Sequence, residues 1–207
     1  QPSLLPGILP KKIARGMGRF FSRECSGFRQ SIYEDIKLLA RTPLGRELLR
    51  ELSESEHSVV IRPTLGDGGR VKFDRDQNAR RTKTKPKGMR GSGCTVYISR
   101  DLNDTSIVVY RKPIEAHLSS GQSQTLVLPT RVDEIPQPRF MILAHELIHA
   151  HRGQRGLLAP RGAHREDGYG TQEEFETIDS SDYKFTENKF RKCFEMPRRF
   201  GHFRRSL

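Results

Sequence analysis

The sequence predicts an α+β fold in which one buried helix packs beside a small, mostly antiparallel or mixed sheet. Three observations carry that reading. Residues 28–54 hold two segments with apolar residues at helical spacing. Residues 58–129 hold five short β-rich runs, each bounded by Gly, Pro, Asp or Ser. Residues 142–153 are a nearly unbroken apolar run, read as helix, that carries His145, Glu146 and His149, groups that are costly to bury without partners. The 207 residues suit one domain that buries its own core. Apolar residues make up only 34% and charged residues 30%, so the core is expected to be modest and the loops long.

The elements follow in order. Residues 1–27 are rich in Pro, Gly and basic residues and read as a disordered basic arm. In FRQSIYEDIKLLAR (28–41), Phe28, Ile32, Ile36 and Leu39 recur at helical spacing. In TPLGRELLRELSES, Thr42 is placed to cap a second helix and Pro43 to open it. Strands are expected at SVVIRP (58–63), RVKF (70–73), CTVYIS (94–99), SIVVYRK (106–112) and TLVLP (125–129), with GDGG (66–69) as a turn. Nine Lys and Arg fall between Arg70 and Arg90, in a loop that reads either as solvated or as a docking surface for an acidic partner. The central helix follows Pro136 and Pro138, with Gly153 as its C-terminal cap. LLAPRGAHREDGYG reads as loop. TQEEFETI (171–178) opens a further helix, with Thr171 as N-cap and Glu174 at capping-box spacing. TENKFRKCFEM (186–196) repeats the pattern at Thr186. Residues 28–196 thus read as a single domain and 197–207 as a basic tail.

Composition excludes several classes. No stretch approaches the roughly 20 apolar residues of a membrane span, and no secretory signal peptide is visible. The chain begins at Gln1-Pro2 without Met, so its native start is expected upstream. The cysteines, at 25, 94 and 193, form no Cys-x-x-Cys pair, which argues against a disulfide framework and a cysteine metal site and fits a reducing compartment. A net charge of +12 attracts anionic partners. The charge, the 70–90 loop and the Arg- and Phe-rich tail suit a nucleic-acid or acidic-protein binding module. No nucleic-acid motif is present, however, and aromatics are only 8%, so no stable nucleic-acid partner is expected.

The chemistry lies in the central helix. Four residues advance about 400° round a helix, so His145 and His149 project from one face, one turn apart. Two imidazoles so placed can hold one zinc ion. Glu146, about 100° further round, can reach a water on that ion and act as general base, because zinc lowers the pKa of water toward neutrality. This is the mechanical content of the His-Glu-x-x-His pattern. The blander reading is a solvent-facing polar stripe, but Met141, Ile142, Leu143, Ala144, Leu147 and Ile148 leave too few polar positions for one. A catalytic zinc needs a third protein ligand and an open position. Positions 152 and 155 are Arg, so no His follows at the His-x-x-Gly-x-x-His spacing. His151 faces away, and His164 lies in a loop. Glu173 and Glu174, 24 and 25 residues beyond His149, are the better candidates, with Glu176 further round the same helix.

These residues carry a resemblance. HELIHAHRG, followed by EEFETID and TENKFR, resembles the NleD-like family of bacterial type III effector zinc metallopeptidases, which includes the XopG group. The resemblance is strongest over 139–192, and TPLGRELLREL with GSGCTVYI extends it over most of 28–195. The pattern is also similar to the light chains of clostridial neurotoxins, apart from Asp179, where those have Gly. The resemblance implies a zincin-like metallopeptidase with Glu173 as third zinc ligand and Glu174 as a supporting residue that orients a histidine. Tyr183, Arg191, Tyr169 and His164 all follow the central helix and are candidates for the donor that stabilises the transition state; the resemblance, through ENKFR, implies Arg191. Pairing with Glu187, one turn earlier, is the alternative for Arg191. It also implies an effector secreted into the host cytoplasm that cuts a host protein, mitogen-activated protein kinases being the associated substrates. A monomer is expected.

In the expected reaction Glu146 deprotonates a zinc-held water that attacks the scissile carbonyl, then hands the proton to the leaving amine. The substrate is expected to add to an edge strand, for which TLVLP and CTVYIS are the candidates. Two alternatives stand beside this reading. One is an inactive zinc scaffold, against which the intact Glu146 argues; the other is a hydrolase acting on a non-peptide substrate.

Overall fold

A computed structural model describes residues 26–65, 68–81, 91–100, 105–110, 132–165 and 167–202. The chain opens with α1 (Ser26–Ala40) and α2 (Pro43–Glu54). Thr42 Oγ1 accepts from the Gly45 amide at 2.9 Å and Pro43 occupies the first turn, the start that the sequence predicts. Ile32, Ile36 and Leu39 of α1 and Leu48, Leu49 and Leu52 of α2 are buried in one core.

The sheet is mixed and has three strands. β1 (Val59–Thr64) runs parallel to β3 (Cys94–Ser99), and β2 (Gly69–Phe73) runs antiparallel to β3 on its other side. CTVYIS is therefore the central strand. Both of its edges are taken, so it is not the edge expected to receive a substrate; among the described residues β2 is an edge strand instead. The other candidate, TLVLP, lies outside the described residues. A separate antiparallel pair joins β4 (Thr105–Tyr110) to β5 (Val132–Gln137). β5 is absent from the sequence reading because it contains Pro136, which removes a donor. Among the described residues the pair has two strands, each an edge, and an edge tolerates proline.

Between β2 and β3 the basic segment is not wholly loop. It contains a single turn, α3 (Asp76–Ala79), held by Arg80 Nε on Asp76 at 2.8 Å and by Leu158 N on Ala79 O at 3.0 Å. Residues 82–90 lie outside the described set.

α4 (Arg139–Gln154) is the centre of the molecule. Every residue from Met141 to Gln154 is buried. β2 and β3 pack on it through Val71, Phe73, Val96 and Ile98, and α1, α2 and α6 (Glu187–Cys193) also pack against it. Burying each Leu or Ile here contributes roughly 1.5–3 kcal/mol, which fixes the helix that carries the histidines. Arg139 pairs with Asp35 of α1 at 2.6 Å and anchors its start. The helix does not end at Gly153. The left-handed residue is Gly156 (φ 65°), with Leu157 N on Arg152 O at 2.9 Å and Gly156 N on Gly153 O at 3.1 Å. Gly153 is helical, and a Cβ there would come within 1.9 Å of the Phe73 ring, so glycine is what lets β2 pack this closely.

After α4 come a two-residue hairpin, β6 (His164–Arg165) and β7 (Gly170–Thr171), then α5 (Gln172–Ile178) and α6. Thr171 and Thr186 cap α5 and α6 as the sequence predicts. The segment expected as a tail from 197 folds back instead. Arg199 is buried, its amide bonds Asn188 Oδ1 at 2.7 Å, and the His202 amide bonds Gly168 O at 3.0 Å. Residues 1–25, the expected arm, and 203–207 lie outside the described set. Cys94 is buried and Cys193 exposed, and both are free. Among the described residues no helix is long and apolar enough to cross a membrane.

Candidate metal centre

α4 holds His145 and His149 one turn apart with their Nε2 atoms 3.1 Å from each other. α5 returns across this face and brings Glu174 to it: Oε2 lies 3.1 Å from His145 Nε2, and Oε1 lies 3.4 Å from His149 Nε2. Glu173 sits on the other side of His149. Its Oε1 is 3.0 Å from Nδ1 and accepts from Arg152 Nε at 2.9 Å, while its Oε2 accepts from the Ala159 amide at 2.6 Å. The two glutamates are thus exchanged relative to the expectation: Glu174 faces the imidazole pair and Glu173 backs it. One residue step turns a helix by about 100°, and Arg152 with Ala159 fixes Glu173 in the backing position.

The tautomers follow from the partners. His145 Nδ1 meets Glu187 Oε2 at 2.8 Å, and His149 Nδ1 meets Glu173. Burial opposes protonation of the two rings, but Glu174 with Glu187 and Glu173 raises both above the ordinary histidine range. Ionised carboxylates only accept, so each imidazole, when neutral, carries its hydrogen on Nδ1 and turns the Nε2 lone pair inward. Two acceptors and a carboxylate then converge. Glu174 Oε2 is buried and takes no hydrogen bond from the described residues, although it lies 3.1 Å from His145 Nε2. A cation would satisfy all three. Ligand atoms about 2.0 Å from a tetrahedral ion stand about 3.3 Å apart; the two Nε2 atoms are 3.1 Å apart, Glu174 Oε2 is 3.1 Å from His145 and its Oε1 3.4 Å from His149. Two imidazole nitrogens and one carboxylate form a donor set that suits zinc.

Glu187 is fully buried in α6. Burial alone would raise its carboxyl, but Arg199, His145 and Arg191 hold it ionised, well below the usual carboxylate range. Burial opposes ionisation of Glu173 too, and His149 and Arg152 bring it down to about 2. Both carboxylates therefore stay charged behind the imidazoles.

A cavity of about 510 Å³ opens in front of this cluster, lined by β2, His145, His149, Glu146, Glu174 and His202 among others. Glu146 lies against β2: a Cβ on Gly69 would come within 2.6 Å of its Cγ. The His202 ring lies 5.7 Å from that of His145 at an interplanar angle of 19°, and its Nε2 is 3.2 Å from Glu174 Oε2. Burial pulls His202 down to about 4, so its ring is neutral at physiological pH. Sequence reasoning missed this residue. Its segment shows Arg and Phe without periodicity, and nothing local announces that it returns to the site.

A peptidase M91 family model, described as effector protein, matches residues 19–200. The chain belongs to the peptidase M91 family of effector proteins. This agrees with the resemblance to NleD-like type III effector metallopeptidases. A search of curated proteins finds no match. The M91 match takes in every helix from α1 to α6 and ends just before His202.

In this M91 chain the expected transition-state donors are not at the cleft. Arg191 is 0% exposed. Its Nε donates to Glu187 at 2.7 Å, and its other nitrogens donate to Pro136 O at 3.1 Å, Pro197 O at 3.2 Å and the Gln137 side chain. It is a buried clamp on Glu187, the alternative that the spacing allowed. The Tyr183 hydroxyl lies 2.6 Å from His151 Nδ1, with Arg152 over its ring at 4.7 Å. Tyr183 therefore packs with His151, away from the cavity. His151 also meets Glu51 of α2 at 2.9 Å, which places it on the far face as expected. Tyr169 donates to Asp179 at 2.8 Å, and His164 is exposed on the hairpin. Glu176 pairs with Arg81 at 2.7 Å and with Arg152.

Proposed function

We propose that this M91 peptidase is a zinc-dependent endopeptidase that acts as an effector inside a host cell. The observation that supports it best is the convergence of His145 Nε2, His149 Nε2 and a hydrogen-bond-free Glu174 oxygen beside Glu146 in one cleft. In this reading His145, His149 and Glu174 hold zinc. Glu187 and Glu173 hold the two imidazoles in the ligating tautomer. Zinc, when bound, lowers the pKa of water and polarises the scissile carbonyl.

The chain's own residues do the rest. Glu146 takes the proton from the attacking water and hands it to the leaving amine. β2 is an edge strand that lines the cleft, and a substrate segment pairing with it passes beside Glu146. Gly69 leaves room for Glu146 against that strand. The substrate in this reading is a host protein, and the NleD-like resemblance nominates a mitogen-activated protein kinase.

Glu146→Gln tests the proposal. Zinc content should be unchanged, while cleavage of fluorescent casein or of a purified mitogen-activated protein kinase falls by roughly 10²–10⁴-fold. A variant that still cleaves at the parent rate would contradict the assignment.

A further inference from the structure

We infer that His202 is a catalytic residue of this site, the hydrogen-bond donor to the oxygen that becomes negative when water adds to the scissile carbonyl. The inference rests on the zinc-peptidase reading above. Acyl transfer gains most from donors aimed at that oxygen, and neither Arg191 nor Tyr183 lines the cavity.

The other described basic side chains of the cavity are placed for different work. Arg80 is held by Asp76 at 2.8 Å and Ala159 O at 2.7 Å, and Arg161 by the same Asp76 at 3.0 Å. Arg70 lies over the Tyr97 ring at 4.8 Å, and Lys72 is exposed on β2. His202 alone among them stacks on a zinc-site imidazole and places a ring nitrogen 3.2 Å from Glu174 Oε2. That oxygen takes no hydrogen bond from the described residues, His202 included, so Nε2 is left to donate when it carries the ring hydrogen.

The placement is built into the fold. Gly201 (φ 100°) turns the chain into a conformation that few other residues adopt, and the His202 amide is fixed on Gly168 O. Arg199 donates through Nε to Gly201 O at 2.8 Å and through Nη1 to Glu187 at 2.7 Å. One buried carboxylate, Glu187, therefore both orients His145 and anchors the segment that carries His202. The step transfers no proton: Nε2–H donates to the developing oxyanion while Glu146 carries the proton from water to amine.

The test uses the full chain with cobalt(II) in place of zinc, in parent, His202→Ala and His202→Gln forms. The visible spectrum reports the coordination sphere, and titration with methylphosphonate, a small tetrahedral oxyanion, reports the donor. The inference predicts one metal per chain and an unchanged anion-free spectrum in all three. Methylphosphonate affinity should fall about 10-fold or more in His202→Ala and less in His202→Gln. Casein cleavage by the zinc forms should fall in kcat by about 100-fold or more in His202→Ala, with KM little changed. Unchanged anion affinity in His202→Ala would overturn the inference. An altered anion-free spectrum would overturn it as well, by making His202 a ligand. A parent chain that binds no metal would instead remove the zinc reading on which it rests.

Discussion

Glu187 gathers three partners at 2.7–2.8 Å with no exposed surface: His145 Nδ1, Arg191 Nε and Arg199 Nη1. Two guanidiniums keep it charged, and its charge keeps the His145 Nε2 lone pair turned inward. Arg191 thus acts through the fold. Arg191→Ala leaves that buried carboxylate short of a partner, and breaking a buried ion pair costs about 3–5 kcal/mol. Chemical denaturation should show that loss, with zinc binding weakened alongside it. A variant that keeps full stability and loses only kcat would restore Arg191 to the role of transition-state donor. The sequence made His145, Glu146 and His149 legible because their spacing alone sets a common helix face. It did not decide between Glu173 and Glu174, which are neighbours of the same type. Only the rotation of α5 against α4, set by Arg152 and the Ala159 amide, assigns one to each side of His149.

Among the elements, β2 and α4 meet at two glycines, and both close approaches serve the site. Gly153 admits the Phe73 ring, and Gly69 admits Glu146. Gly69→Ala would bring a methyl group within 2.6 Å of Glu146 Cγ and 2.9 Å of Ile142 Cγ2. Glu146, the proposed base, must then shift while His145, His149 and Glu174 stay. Zinc stoichiometry should hold and kcat should fall about 10-fold or more, since a misplacement of about 1 Å costs up to 10²-fold. An unchanged kcat would mean that the Glu146 position does not depend on β2. Most elements were legible: Thr42, Thr171 and Thr186 mark their helix starts, and β1, β2, β3 and β4 fall on the expected runs to within about a residue or two. β5 was not, because Pro136 argues locally against a strand. The end of α4 was misread at Gly153 because a glycine near a helix terminus is ambiguous between a cap and a close contact.

In the whole molecule, several acidic and imidazole groups crowd one side of a buried helix, and α5, α6 and the C-terminal segment are all tied to it. Metal binding in such a site is folding energy as well as chemistry. Zinc at about 100 times its dissociation constant should stabilise the chain by about 2.7 kcal/mol, raising the thermal midpoint by several degrees, and a chelator should reverse the shift. An identical midpoint with and without zinc would speak against a preformed site. The return of residues 197–202 to the cleft was not legible, because contacts so distant in sequence leave no periodic trace. The central claim is that Glu174, not Glu173, completes the metal site. Zinc content of the purified chain, measured beside Glu174→Ala and Glu173→Ala, tests it most directly. The account predicts about one zinc per chain in the parent, near none in Glu174→Ala, and retained zinc with affinity weakened about 10–100-fold in Glu173→Ala. Zinc lost in Glu173→Ala and kept at full affinity in Glu174→Ala would contradict it.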